Sequence, residues 1–205
     1  MYALNTEAAK AADSTGNRIT ERGKYIGKFT RAQHIESDKG TKGIDFDFEA
    51  TNAQKARFSV YTIKGDGTQI YGFKQLMAIM TVLSLRNLAE PVSRRAKVYD
   101  FDAGQEVERD VPQFVELLDK PIGLLFTMEE YKEGKWRPNL AGVFQADTEL
   151  VASEILERKT QPLTLPKMVE RLRDKPMQAQ QGGSGYQPTN SGAPDFIDDT
   201  SDIPF

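Results

Sequence analysis

The clearest pattern in the chain is the alternation Ile44-Asp45-Phe46-Asp47-Phe48-Glu49, three apolar side chains on one face and three carboxylates on the other. It predicts a half-buried β-strand. Before it, Gly23 to Ile35 also reads as a strand, with Tyr25, Gly27, Phe29 and Arg31 on one face and Lys24, Ile26, Lys28 and Thr30 on the other. The glycines and polar residues of Ser37 to Gly43 predict the turn between them. Ala56 to Lys64, rich in β-branched and aromatic residues, predicts a third strand with Phe58 and Val60 inward and Arg57, Ser59, Tyr61 and Ile63 outward. Gly65-Asp66-Gly67 closes it with a hairpin-type turn. The first eighty or so residues therefore begin as an antiparallel meander.

Lys74 to Leu88 is apolar on nearly every side, which suits a helix buried by the sheet or by another subunit, ending before Pro91. A homodimer or higher oligomer is thereby allowed. Strand character returns at Lys97 to Phe101, and Pro112 to Lys120 reads as a short helix opened by its proline. Gly123 to Tyr131 and Lys135 to Phe144 form a hairpin across Glu133-Gly134. Two amphipathic helices follow, Glu149 to Lys159 capped by Asp147 or Thr148, and a second opened by Leu165-Pro166 and running to about Lys175. The fold class expected is mainly β with added helices (α+β).

Composition divides the chain. Residues 1–18 are small and polar and read as a loose arm, and 19–175 form the body. Residues 176–194 are a Gln/Gly/Ser/Pro stretch that cannot bury enough apolar area to offset its ordering entropy, a flexible linker. Residues 1–175 hold 27 basic and 26 acidic residues, a balance of +1, while the last thirty residues hold four aspartates and no base. A near-neutral body requires a local basic face for any nucleic-acid role. The absence of cysteine excludes disulfides and thiolate metal sites, and the single histidine, His34, excludes a multi-His centre. His34 reads as a surface or loop residue. No apolar run reaches the ~20 residues that span a bilayer. The beginning of the chain lacks the basic start and apolar centre of a signal peptide. A cytoplasmic protein, without membrane association or cofactor, is expected.

The linker leads to Asp195-Phe196, Asp198-Asp199 and Asp202-Ile203-Pro204-Phe205. Phe205 combines an apolar ring with a carboxylate, so a small pocket with a basic rim can grip both. Pro204 reduces the entropy lost on docking, and the aspartates attract basic partner surfaces over distance. This ending resembles the acidic tip of bacterial and phage single-stranded DNA-binding proteins, from which it departs by Ile197 and by Thr200-Ser201. The body is similar to phage members of that family with an oligonucleotide-binding (OB) barrel, through Gly23-Lys24-Tyr25, Gly27-Lys28-Phe29 and Ala32, then Lys39 to Phe48. The resemblance implies an OB-like antiparallel barrel that coats single-stranded DNA, in the host cytoplasm if phage-encoded. It also implies that residues 195–205 recruit replication and recombination proteins.

Sequence-independent strand binding needs a basic groove for phosphates and exposed rings for bases. Lys24, Lys28, Arg31, Lys39, Lys42, Arg57, Lys64 and Lys74 are interleaved with Tyr25, Phe29, Tyr61, Tyr71 and Phe73, and Trp136 lies between Lys135 and Arg137. Tyr61 and Trp136 are the leading stacking candidates. Asp45, Asp47 and Glu49 would repel phosphates unless their face turns away from the strand. They also admit an alternative, a metal-dependent nuclease, since carboxylates gathered on a strand can hold Mg²⁺. A recombination mediator or annealing protein is the second alternative. No phosphate-cradling glycine-rich loop is present, and no catalysed reaction is expected. A tail of −4 beside +1 over residues 1–175 further predicts that the tip competes with DNA for the basic groove.

Overall fold

A computed structural model describes residues 17–100 and 105–177. Of the predicted arm (1–18) and linker (176–194), residues 1–16 and 178–194 lie outside the described residues, as does the acidic tip; the Asn17 carbonyl accepts from Lys55 N–H and Met177 N–H donates to Glu130, so these ends are held on the body. Three strands open the body: β1 (Gly23–Glu36), β2 (Lys42–Ala50) and β3 (Lys55–Ile63). Helix α1 (Tyr71–Val82) follows, then β4 (Val92–Asp100), β5 (Gln105–Gln113), a 3₁₀ turn (Val115–Leu117), β6 (Pro121–Lys132), β7 (Lys135–Phe144), α2 (Ala152–Leu156) and α3 (Thr164–Arg171). The architecture is mainly antiparallel β with a few helices, consistent with an OB-like fold.

β1 organises the sheet. One edge pairs with β2 from Gly27 to Glu36; the other pairs with β6 over its first half and with β5 at Gln33. A bulge at Thr30 lets one long strand serve both directions: Phe29 stands opposite Phe48, but Arg31 stands opposite Asp47. The extra residue bends the strand and reverses which side each later residue faces. The seven-stranded sheet is nevertheless not a closed barrel. No strand pairing joins β3 to β7 among the described residues, and α1 packs on both, with Gln75 Nε2 donating to the Leu140 carbonyl on β7.

The alternation of β2 and β3 is observed as expected: Ile44, Phe46, Phe48, Phe58 and Val60 are buried. Phe29 joins them, its ring centroid 4.5 Å from that of Phe46, and Phe126 on β6 completes the cluster 5.4 Å from Phe58. Removing such a phenylalanine costs about 3–5 kcal/mol, so this cluster anchors the body.

The helices differ from expectation for local reasons. α1 covers 71–82 rather than 74–88, because Gly72 lets its first turn sit flush on β3, where a Cβ would come within 2.0 Å of the Tyr61 carbonyl. Its end is a left-handed Ser84 (φ 56°), with Ser84 N–H donating to Thr81 O and Leu85 N–H to Met80 O. These bonds satisfy the terminal carbonyls, and Leu85 and Leu88 pack on the core from irregular chain. The predicted helix at 112–120 is only the 3₁₀ turn, since Phe114 N–H donates to Ala32 O and holds Pro112 in β5. The helix predicted from Glu149 starts at Ala152: Glu149 has φ 61°, and the buried Glu154 accepts from Val151 N–H and from Thr164 N–H at the start of α3. α3 stops at Arg171 because the chain then runs along β6, with Lys175 N–H donating to Met128 O. His34 lies in β1 opposite Ile44, edge-on to Phe114, rather than in a loop.

Candidate nucleic-acid interface

The bulge at Thr30 decides what the outer face of β1–β2–β3 carries. It turns Arg31 away from Phe29 and onto the side of Asp45 and Asp47. Arg31 is 2% exposed; its Nε donates to Asp47 Oδ2 at 2.7 Å, its NH1 to Gln33 Oε1 at 2.7 Å and its NH2 to Asp45. Arg57, opposite Asp47 on β3, donates through Nε at 2.6 Å, and Ser59 Oγ donates to Asp45 at 2.8 Å. Burial would raise the Asp47 carboxyl, but hydrogen bonds from Arg57 and Arg31 outweigh it and hold the group below its usual value. Burial would lower Arg31, but its hydrogen bonds to Asp47 and Asp45 outweigh that and raise it.

Two sequence expectations are thereby corrected. Phe29 is fully buried in the aromatic core and offers no face to a base. Arg31 is sealed between two carboxylates and has no donor turned to solvent phosphate. The acidic row is in turn occupied: Asp45 and Asp47 are bound by guanidinium groups. Among the described residues no group of three His, Asp or Glu side chains is placed to hold a metal ion.

The remaining candidates fall into three groups. On the first half of β1, Lys24 pairs with Glu149, Lys28 with Asp119 at 2.8 Å, and Tyr25 lies half-buried against Phe126, its hydroxyl donating to Glu21 O. These charges are already partnered. At the tip of the β6–β7 hairpin, Trp136 is 43% exposed beyond the last core residue on its face, Leu140. Lys135 is exposed beside it, while Arg137 turns to the other face, bound to Glu129 at 2.8 Å and lying over the Tyr131 ring. Tyr131, also exposed, was not among the sequence candidates; its place at a hairpin tip was the available signal.

The third group gathers at one end of the sheet. The turn between β1 and β2 packs on the turn after β3, where a Cβ on Gly65 would meet the Lys39 carbonyl at 2.7 Å. Lys39 in the first of these turns, Lys42 at the start of β2 and Lys64 just after β3 are all exposed, at the end of the sheet where Tyr61 is 42% exposed. Gly43 stands opposite Tyr61, and the absence of a Cβ there lets the ring lean across the strand, since that atom would sit 3.1 Å from Tyr61 Cδ1. The start of α1 abuts the Tyr61 backbone, and on its first turn Tyr71 and Lys74 are exposed. Glu36, Asp38 and Asp66 share these turns; the exposed Asp66 accepts from Thr68 N–H, which lowers its carboxyl below the usual value. This end of the sheet therefore exposes two rings and four lysines, the residue types that stacked bases and a phosphate backbone require.

No family model matches the chain, and no curated protein sequence matches it.

Proposed function

We propose that this chain binds single-stranded DNA without sequence preference, through the end of the sheet that carries Tyr61, and recruits replication and recombination proteins through residues 195–205. The observation that carries the reading is the grouping of Tyr61 and Tyr71 with Lys39, Lys42, Lys64 and Lys74. Both rings and all four lysines are exposed at one end of the antiparallel sheet. Trp136 and Lys135 at the β6–β7 tip supply a second stacking position. The guanidinium–carboxylate network beside Tyr61 on the same face serves to stiffen the frame rather than to touch the strand. No helix among the described residues is long and apolar enough to cross a membrane, and the proposed site of action is the cytoplasm, that of the host if the chain is phage-encoded.

The test is a titration of labelled oligo-dT at several salt concentrations, with Mg²⁺ present and absent. A strand binder shows log affinity falling with log salt by about 0.7 per phosphate contacted, and the oligonucleotide stays intact. Cleavage that requires Mg²⁺ would replace this reading with the nuclease, and affinity insensitive to salt would remove the lysines from the interface.

A further inference from the structure

β4 and β5 form a ribbon nearly separate from the body. They pair with each other at nine positions but join the rest of the sheet at one, Gln33 opposite Gln113. β4 is the last strand of the sheet order, and residues 105–112 of β5 have no strand partner besides β4 among the described residues. The ribbon thus offers two open backbone edges, which are templates for further pairing.

Charge is sorted between those edges. From Val92 to Val98, β4 carries Arg94, Arg95 and Lys97 and no acid, whereas β5 carries Glu106, Glu108 and Asp110 with Arg109 as its one base. Arg95 stands opposite Asp110 and Lys97 opposite Glu108 on one face; on the other, Arg94 stands opposite Val111, Ala96 opposite Arg109 and Val98 opposite Val107. Within the ribbon the Arg95–Asp110 pair is loose, 4.0 Å apart with both side chains well exposed. Edge strands that guard against pairing carry charges that repel a second copy. Here one edge is basic and the other acidic, so a second copy is attracted.

We propose that the ribbon joins copies of this chain edge to edge, the basic β4 of one against the acidic β5 of the next. Because β4 and β5 are antiparallel within one chain, a translated copy presents its β5 antiparallel to β4 and continues the alternating row of charges. Such a head-to-tail contact leaves a free β4 at one end and a free β5 at the other, so it propagates. Nucleic acid fits the ribbon less well: over residues 92–113 four bases face five acids, and the acids repel phosphate. The proposal does not rest on strand binding.

The experiment is sedimentation velocity on the full chain without nucleic acid. The wild-type coefficient should rise with concentration, and association should weaken at least about tenfold from low to molar salt. Arg95→Glu with Lys97→Glu makes both edges acidic, and Glu108→Lys with Asp110→Arg makes both basic. Each double variant alone should stay monomeric, while an equimolar mixture should associate again, because like strands repel and unlike strands pair. A wild type that is monomeric throughout, or well-folded variants whose mixture fails to recover, would overturn the proposal. So would loss of affinity for a short oligo-dT in Arg95→Glu/Lys97→Glu with association intact, which would make the ribbon a nucleic-acid arm. Association without any oligo-dT binding would leave this proposal standing and remove the function proposed above.

Discussion

Arg31 and Asp47 face each other across β1 and β2, Nε to Oδ2 at 2.7 Å, with the guanidinium almost wholly withdrawn from water. Asp47 is shared with Arg57, so one carboxylate joins three strands. Removing Arg31 leaves Asp45 without its guanidinium partner and Asp47 with Arg57 alone. Arg31→Met should therefore lower the unfolding free energy by about 3 kcal/mol, measured by urea denaturation. Oligo-dT affinity of the folded fraction should stay at the wild-type level; a tenfold loss there, with stability unchanged, would return Arg31 to the interface.

The same pair fixes a pH dependence. The Asp47 carboxyl is held below its usual value in the folded chain, so the fold favours the ionised form. Its contribution is complete above the unfolded carboxylate value of about 4 and is lost as pH falls through the lower folded value. Glu154 acts in the same direction: burial alone would raise it, but the Val151 and Thr164 N–H groups bring it below the usual value. Melting temperature followed downward from pH 5 should fall less steeply in Asp47→Asn than in wild type, from a lower starting point. Parallel curves would mean that Asp47 does not titrate differently on folding.

What the sequence revealed and what it hid follow from the range of the interactions. Ile44, Phe46 and Phe48 were legible because a period of two needs only neighbours. The outward Tyr61 followed from the same rule on β3. Arg31 was misplaced because one inserted residue, Thr30, reverses the alternation, and nothing in its local sequence marks the bulge. The shifted ends of α1 and α2 depend on contacts distant in sequence or on backbone signs, Gly72 against Tyr61 and Glu149 in the left-handed region. The approach of Gly65 to the Lys39 carbonyl likewise comes from two turns packing together. The charge sorting of β4 and β5 was present in the sequence, but only their register gives it two edges.

Tyr61 separates stacking from charge. Tyr61→Ala should weaken oligo-dT binding by about 1–3 kcal/mol, while Tyr61→Phe, which keeps the ring, should be close to wild type. Lys64→Ala should instead reduce the slope of log affinity against log salt by about 0.7. Fluorescence titrations of the three variants at matched salt distinguish these outcomes. Equal losses in Tyr61→Ala and Tyr61→Phe would assign the hydroxyl, not the ring, to the contact.

Gly72 tests whether α1 holds the interface in place. A Cβ there would lie 2.0 Å from the Tyr61 carbonyl, a backbone atom that cannot swing aside. Gly72→Ala should push the first turn of α1 off β3 and destabilise the chain by about 1–3 kcal/mol, the usual cost of overpacking. It should also lower oligo-dT affinity at temperatures where the variant remains folded, because Tyr61 and Tyr71 lose their fixed spacing. Unchanged thermal unfolding would mean that helix and strand are not in tight contact.

The acidic tip provides the last test. Residues 195–205 carry four negative charges and residues 1–175 a net of +1, so tip and phosphate backbone are attracted to the same lysines. Removing residues 195–205 should tighten oligo-dT binding at low ionic strength, and the gain should shrink as salt approaches physiological levels, where charges more than about 8 Å apart are largely screened. Replacing the four aspartates by asparagine while keeping Phe196, Ile203, Pro204 and Phe205 should reproduce the gain, since the competition is electrostatic. Affinity that is unchanged or weaker in both variants would show that the tip does not visit the binding face.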